Sequence, residues 1–220
     1  MNQLKQLDAL FRPRSIAIIG ASKNPMKPGG QPLAALLASG YSGAILPVNP
    51  RYNEINGLKC YTSLSEIEIP IDLAIVAVPA RNVPKIMKEC VEKQVKTAIL
   101  FTSGFAEIGE EGLKLQEEIL AITQPAGLRF VGPNCLGLVN APEKVMANFA
   151  VSHQPDKVVK ENAFAFISQS GGFGTITYAE AQKQGMGAEI LVSTGNEADL
   201  DFTTFVEYMV EFTEVNAIGG

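Results

Sequence analysis

The 220-residue sequence exceeds one typical domain, and with 46% hydrophobic and 19% charged residues it has the composition of a globular chain with enough apolar material for a full core. A formal charge of −5 argues against a nucleic-acid binder, which needs a dense basic face to neutralise phosphates. No apolar run reaches the roughly 18 residues of a membrane-spanning helix, and the start MNQLKQLDALFRPR lacks the apolar core of a secretory signal, so a cytoplasmic protein without a membrane partner is expected.

From residue 15 onward, apolar β-branched runs alternate with helical patterns. SIAIIG (15–20) reads as a buried strand and QPLAALLASG (31–40) as a helix closed by Gly40. GAILPVNP (43–50), DLAIVAVP (72–79), TAILFTSGF (97–105) and LRFVGPN (128–134) read as further strands, with helices over VPKIMKECVEKQ (83–94) and EEGLKLQEEILAITQ (110–124) between them. Continuous apolar strands alternating with helices predict a Rossmann-like α/β domain built on a parallel sheet covered on both faces. Residues 141–161 are polar, contain Pro142 and Pro155, and read as a connection. A second α/β series follows: strand 162–168, helix 174–185, strand 188–193, helix 201–212 and VNAIGG at the end. These units are too few for a complete doubly wound sheet, so the second domain is expected to be partial. The expected division is 1–140 for the first domain, 141–161 for the linker and 162–220 for the second domain.

Cys60, Cys90 and Cys135 are scattered and form no CxxC pair, so buried apolar thiols are expected rather than disulfides or zinc. His153 is the only histidine and lies in the polar run VSHQPDK; no metal centre is expected.

In an open α/β sheet, ligands bind beyond the carboxyl ends of the strands. The first strand delivers Gly20, Ala21 and Ser22, a turn that lets a backbone approach phosphate at a helix start. The dinucleotide fingerprint GxGxxG is absent, and the second strand ends in Asn49-Pro50-Arg51 where an acid would hold a free ribose hydroxyl. An arginine there suits a phosphorylated ribose, as in coenzyme A or NADP, although an exposed arginine on a tight turn is the plainer alternative. Val78-Pro79 offers an apolar wall or simply ends its strand. Thr102-Ser103-Gly104 and Gly132-Pro133-Asn134 add small and polar groups at neighbouring strand ends. In SQSGG, Ser170, Gly171 and Gly172 form either an anion nest for a phosphoryl group or an ordinary N-cap. Asp199 or Asp201 is expected to cap the helix that starts near residue 201.

The strings FRPRSIAIIGAS, LPVNPRY…GLKCYTSL, FTSGFAEIGEEG, VGPNCLGLVN, FISQSGG and STGNEADLD, in this order and spacing, resemble the NDP-forming acyl-CoA synthetases, exemplified by ADP-forming acetyl-CoA synthetase and more distantly by the succinyl-CoA synthetase α subunit. The resemblance runs from about residue 8 to the end and implies a CoA-binding domain followed by a flavodoxin-like ligase domain. By position it places Gly20, Ala21 and Ser22 on the CoA phosphates, Arg51 near the 3′-phosphate, Val78 and Pro79 against the nucleotide, and Ser103, Gly104 and Asn134 along the pantetheine path. It assigns Ser170, Gly171 and Gly172 to the phosphate of a phosphohistidine. The family's histidine lies in a later glycine-rich loop, so no catalytic residue is expected within residues 1–220 and these residues alone are expected to be inactive. ADP or ATP and Mg would enter only through an ATP-grasp domain or β subunit, in a homo- or hetero-oligomer. A stand-alone CoA-binding sensor, a protein acetyltransferase fusion and an NADP-dependent oxidoreductase are the competing expectations.

Overall fold

The structure is a computed structural model that describes residues 3–150, 164–186, 188–211 and 215–220. Two short helices, α1 (Gln3–Gln6) and α2 (Asp8–Phe11), precede the first sheet. The first domain then runs β1 (Ser15–Ile19), α3 (Gln31–Ser39), β2 (Ala44–Val48), a hairpin of β3 (Glu54–Ile55) and β4 (Leu58–Lys59), β5 (Leu73–Val76), α4 (Val83–Glu92), β6 (Thr97–Leu100), α5 (Glu110–Thr123) and β7 (Arg129–Val131). Its five strands pair in parallel in the order β2-β1-β5-β6-β7.

Strands β1, β5 and β6 are buried along their whole length, which explains their unbroken apolar sequences. Alternate residues feed two cores. Ile16, Ile18, Leu73, Ile75 and Ile99 pack with Leu33 and Leu36 of α3, while Ala17, Ile19, Ala74, Val76, Ala98 and Leu100 pack with Met87 and Cys90 of α4 and Ile119 of α5. On α4, Val83, Met87 and Cys90 recur at helical spacing and form its buried face. Gly40 closes α3 in the left-handed conformation (φ 68°), donating its N–H to the last carbonyls as the sequence predicts.

The second sheet contains β8 (Gly137–Asn140), β9 (Val145–Asn148), β10 (Phe164–Ser168), β11 (Ala188–Ser193) and β12 (Ala217–Gly219), with α6 (Gly171–Lys183) and α7 (Phe202–Glu211) on its faces. Its order is β12-β10-β11-β8-β9, parallel through β12, β10 and β11 and antiparallel from β11 to β8 and β8 to β9. The sequence predicts 137–140 in the first domain and a polar connection from 141; the backbone of β8 and β9 instead pairs into the second sheet. Leu138, Val139, Val145, Met146 and Ala147 are buried, and only the turn between them, closed by Lys144 N–H to Ala141 O, has the polar character read there. The remainder of the expected connection, 151–161 with His153 and Pro155, lies outside the described residues. Helix α6 begins at Gly171, three residues before its expected start, because Ser170 caps it.

The amino-terminal helices tie the two domains together. Phe11 is fully buried, stacked on Tyr208 of α7 at 4.8 Å and edge-on to Phe205 at 6.2 Å. The Tyr208 hydroxyl donates to Asp8 (2.9 Å), and Asn140 of β8 donates to the Phe11 carbonyl (3.0 Å). At the amino end of β5, buried Asp72 accepts from Arg14 N–H (2.8 Å) and from Lys96 Nζ (2.6 Å). Among the described residues no helix is long and apolar enough to cross a membrane.

Candidate functional site at the carboxyl edge of the first sheet

A parallel sheet brings the carboxyl ends of all its strands to one edge, and the loops there form a continuous rim. After β1, Gly20 adopts φ +86°, and a Cβ on it would lie 2.4 Å from the Ala77 carbonyl oxygen. Only glycine fits, and the fit lets both Gly20 N–H and Ala21 N–H donate to Val48 O. The loop folds back on itself: Ser22 N–H donates to Gly29 O, and the Ser22 hydroxyl accepts from Asn24 N–H (3.1 Å). It delivers the chain to α3, whose N-terminus has no side-chain cap.

Asn49 joins this loop to the next. Its Nδ2 donates to Ala21 O (2.7 Å), and its Oδ1 accepts from Arg51 N–H (3.0 Å). The sequence marks Asn49 only as a strand end, and the signal for this role is an Asx turn at that position. Arg51, Lys23 and Lys27 are all exposed at this corner, and Lys23 Nζ sits 5.5 Å from the centre of the Tyr52 ring. These cations give the corner a positive character suited to phosphate.

The rim continues along the sheet. Val78 is half-buried beside Gly20, and its carbonyl accepts from the Thr102 hydroxyl (2.7 Å). Pro79 is exposed. Gly104 adopts φ +103° against Ala80, with exposed Ser103 before it. Asn134 N–H donates to Thr102 O (2.9 Å), placing exposed Asn134 beside the Ser103 loop. Thus Gly20, Ala21, Ser22, Arg51, Val78, Pro79, Ser103, Gly104 and Asn134 occupy successive loops of one edge.

The second domain meets the far end of this rim. Leu136, two residues beyond Asn134, donates its N–H to Ser193 Oγ (3.0 Å) and packs so closely on Gly171 that a Cβ there would lie 2.4 Å from Leu136 Cγ. The α6 N-terminus therefore stands next to the rim. Ser170 caps it by accepting from Phe173 N–H (3.4 Å), while nothing crowds Gly172. Capping and an open helix start are both present in SQSGG.

Residues 195–200 form the seam. Asn196, Ala198 and Leu200 N–H groups donate to Pro133, Gly132 and Phe130 carbonyls, extending the β7 edge with second-domain backbone. Asp201 is the cap of α7, accepting from Thr204 N–H (2.8 Å). Asp199 instead crosses the seam, accepting from Arg129 Nε (2.9 and 3.0 Å) and Phe130 N–H (2.8 Å). From sequence, capping ranks above a catalytic role for this pair. Nothing in the sequence marks Asn196, whose side chain accepts from Asn134 Nδ2 (3.3 Å) and donates to Glu107 (2.5 Å) and Gln116 (3.2 Å). Partial burial pushes the Glu107 carboxyl up, but donors from Asn196, Gly104 and Phe105 outweigh it and hold the group below the usual carboxylate range.

Reactive side chains are scarce at this edge. Burial pushes the thiols of Cys90 and Cys135 up to about 12, and Cys60 is raised by the same cause. Among the described residues no cluster of His, Cys, Asp and Glu is arranged to hold a metal ion. His153 lies outside the described residues. What the edge supplies is tight backbone turns, small residues and exposed cations, a setting suited to a phosphorylated ligand.

Comparison with known proteins agrees with this chemistry. Residues 14–141 match the CoA binding domain and residues 161–220 the succinyl-CoA ligase like flavodoxin domain. The chain is 40% identical over 212 residues to the α subunit of acetate–CoA ligase [ADP-forming] II from Pyrococcus furiosus, covering 96% of this chain and 45% of that protein. It is 30% identical over 209 residues to 4-hydroxybutyrate–CoA ligase [ADP-forming] from Nitrosopumilus maritimus, covering 95% of this chain and 29% of that one. The dinucleotide-forming acetyl-coenzyme A synthetase 1 of Ca. Korarchaeum cryptofilum, solved with phosphate and ADP, superposes with a TM-score of 0.89 at 36% identity, covering 96% of this chain and 44% of that one. The chain thus spans less than half the length of these relatives.

Proposed function

The chain belongs to the NDP-forming acyl-CoA synthetase family, with a CoA binding domain ahead of a succinyl-CoA-ligase-like flavodoxin domain, and from that premise we propose that it is the CoA-binding, amino-terminal portion of an enzyme that interconverts acyl-CoA, ADP and phosphate with the free acid, CoA and ATP. The observation that carries the reading is the unbroken rim from Arg51 to Asn134, ending at the capped N-terminus of α6.

CoA supplies the thiol that accepts the acyl group, and the residues present fit it. In this reading Gly20, Ala21 and Ser22 approach the diphosphate, and Arg51, with Lys23 beside it, meets the 3′-phosphate. Val78 and Pro79 form the apolar wall of the nucleotide. Ser103, Gly104 and Asn134 flank the pantetheine arm on its way to the second domain, where Ser170, Gly171 and Gly172 hold phosphate with backbone N–H groups and the helix dipole. The proposed division is a CoA-binding unit at 1–140, a linker at 141–161 and a ligase-like unit at 162–220, and the β8–β9 hairpin crosses it by pairing with the second sheet. ADP or ATP and Mg fall to an ATP-grasp domain or β subunit, and none of the rim residues is given a bond-making role.

Calorimetry with CoA, dephospho-CoA and NADP tests the proposal. CoA should bind in the micromolar range, about −8 kcal/mol. Dephospho-CoA should bind more weakly by about 1.5–3 kcal/mol, the worth of a charge-assisted hydrogen bond. Equal affinity for the two would remove Arg51 from the site, and absence of CoA binding would overturn the reading.

A further inference from the structure

The loop after β6 owes its shape to a side chain that the CoA reading does not use. Gly104 N–H and Phe105 N–H both point at one carboxylate, that of Glu107, at 2.6 and 3.1 Å. The oxygen that accepts from Phe105 N–H also accepts from Asn196 Nδ2 (2.5 Å), a residue of the other domain. Asn196 is itself fixed on three further sides: its N–H donates to Pro133 O, its Oδ1 accepts from Asn134 Nδ2, and its Nδ2 also reaches Gln116 Oε1. Glu107 is exposed and Asn196 half-buried, so the core does not require this arrangement. A surface carboxylate that could be solvated instead closes a chain of hydrogen bonds from the backbone of the Ser103–Phe105 loop to the seam between domains.

We propose that Glu107 and Asn196 form an interdomain latch that makes the shape of the Ser103–Phe105 loop, and with it CoA affinity, depend on how the second domain is seated. The coupling to CoA rests on the proposed function above. Glu107 and Asn196 are positioning residues: they act through the backbone of Gly104 and Phe105. The physical basis is that a loop N–H pair held by a carboxylate keeps one conformation only while that carboxylate is itself held. Releasing Asn196 lets the Glu107 side chain turn to water, and the Gly104 backbone, at φ +103°, is free to relax. By linkage, a ligand that tightens the loop tightens the seam to the same extent.

The test is a double-mutant cycle across the latch. Asn196→Asp sets a second carboxylate against Glu107, whereas Glu107→Ala removes the group through which Asn196 acts on the loop. Amide hydrogen exchange at residues 103–107 is followed in the ligand-free chain, and CoA titrations are run on the parent, both single variants and the double variant. Asn196→Asp should speed exchange at Gly104 and Phe105 and weaken CoA binding about tenfold, within the usual range of site-to-site coupling. The double variant Glu107→Ala/Asn196→Asp should behave as Glu107→Ala alone in both readouts, because Asn196 reaches the loop through Glu107. Melting temperatures should stay close to the parent, since the pair lies at the surface. Unchanged exchange in Asn196→Asp overturns the latch. Faster exchange with unchanged CoA affinity, or an Asn196→Asp loss of CoA affinity as large in the Glu107→Ala background as in the parent, overturns the coupling. A parent chain that binds no CoA defeats the proposed function and the coupling with it, while the exchange data still decide the latch.

Discussion

The two ends of the first sheet are built on opposite principles. At the amino end, side chains do the holding: Asp72 gathers Arg14 and Lys96, Gln6 spans to the Lys96 and Gly127 carbonyls, and Phe11 sits between Tyr208 and Phe205. At the carboxyl end, backbone and small residues prevail, with glycines at positive φ and cations left exposed. One end anchors the amino terminus with side chains, and the other presents open loops that the second domain meets only at their far end. The difference shows how strand direction sends the loops of a parallel sheet to one edge and leaves the other to packing. The seam at 195–200 lies where that edge reaches the second domain.

That contrast can be broken by substitution. The largest effect is expected from Phe11→Ala, which empties an aromatic site shared by both domains. Thermal or denaturant unfolding should show a loss of about 3–5 kcal/mol, with the CoA affinity of the folded fraction changed only as far as the seating of the second domain shifts. Arg51→Ala should do the reverse. CoA binding should weaken by about 1.5–3 kcal/mol and dephospho-CoA binding hardly at all, with the melting temperature unmoved. A stability loss in Arg51→Ala would show that the rim is structural after all.

Asp72→Asn sharpens the amino-end half of the comparison. Burial pushes the Asp72 carboxyl up, but Lys96 and the Arg14 backbone N–H outweigh it and hold the group below the usual range. A depressed carboxyl adds stability above its unfolded value, near pH 4, and loses it as the pH falls through the lower folded value. Melting followed from pH 7 downward should therefore show a flatter acid limb in Asp72→Asn. At neutral pH the cost should be about 1 kcal/mol, the difference between a charged and a neutral hydrogen bond. The smallest effect is expected for Ser170→Ala. Its 3.4 Å cap bond puts the loss of stability near 0.5 kcal/mol, the low end for N-caps, and unfolding measurements should resolve little more.

Much of this architecture was legible in the residues. Strands β1, β5 and β6 announce themselves because burial on both faces demands unbroken apolar runs. Arg51 and the glycines at strand ends were legible because local turn chemistry is written in residue type. The β8–β9 hairpin was not, since a charged turn, Pro-Glu-Lys, interrupts two four-residue runs, and β11, the strand that joins β8 to the second sheet, lies some fifty positions further along the chain. Helices α1 and α2 were invisible for a related reason. At four residues each they lack a periodic pattern, and they exist because Leu7, Leu10 and Phe11 find a site between the domains. Asp199 looked like a cap because its salt partner, Arg129, stands 70 residues away.

By itself, then, the sequence determined the alternation of strands and helices, the glycine turns and Arg51 at the strand ends, and the family, since each follows from local pattern or from ordered motifs. The tertiary structure alone decided which sheet claims residues 137–148, how the amino terminus wedges the domains together, and that Asn196 reaches across to Glu107. Those outcomes depend on partners distant in sequence, whose pairing is set by packing and hydrogen-bond satisfaction rather than by residue type.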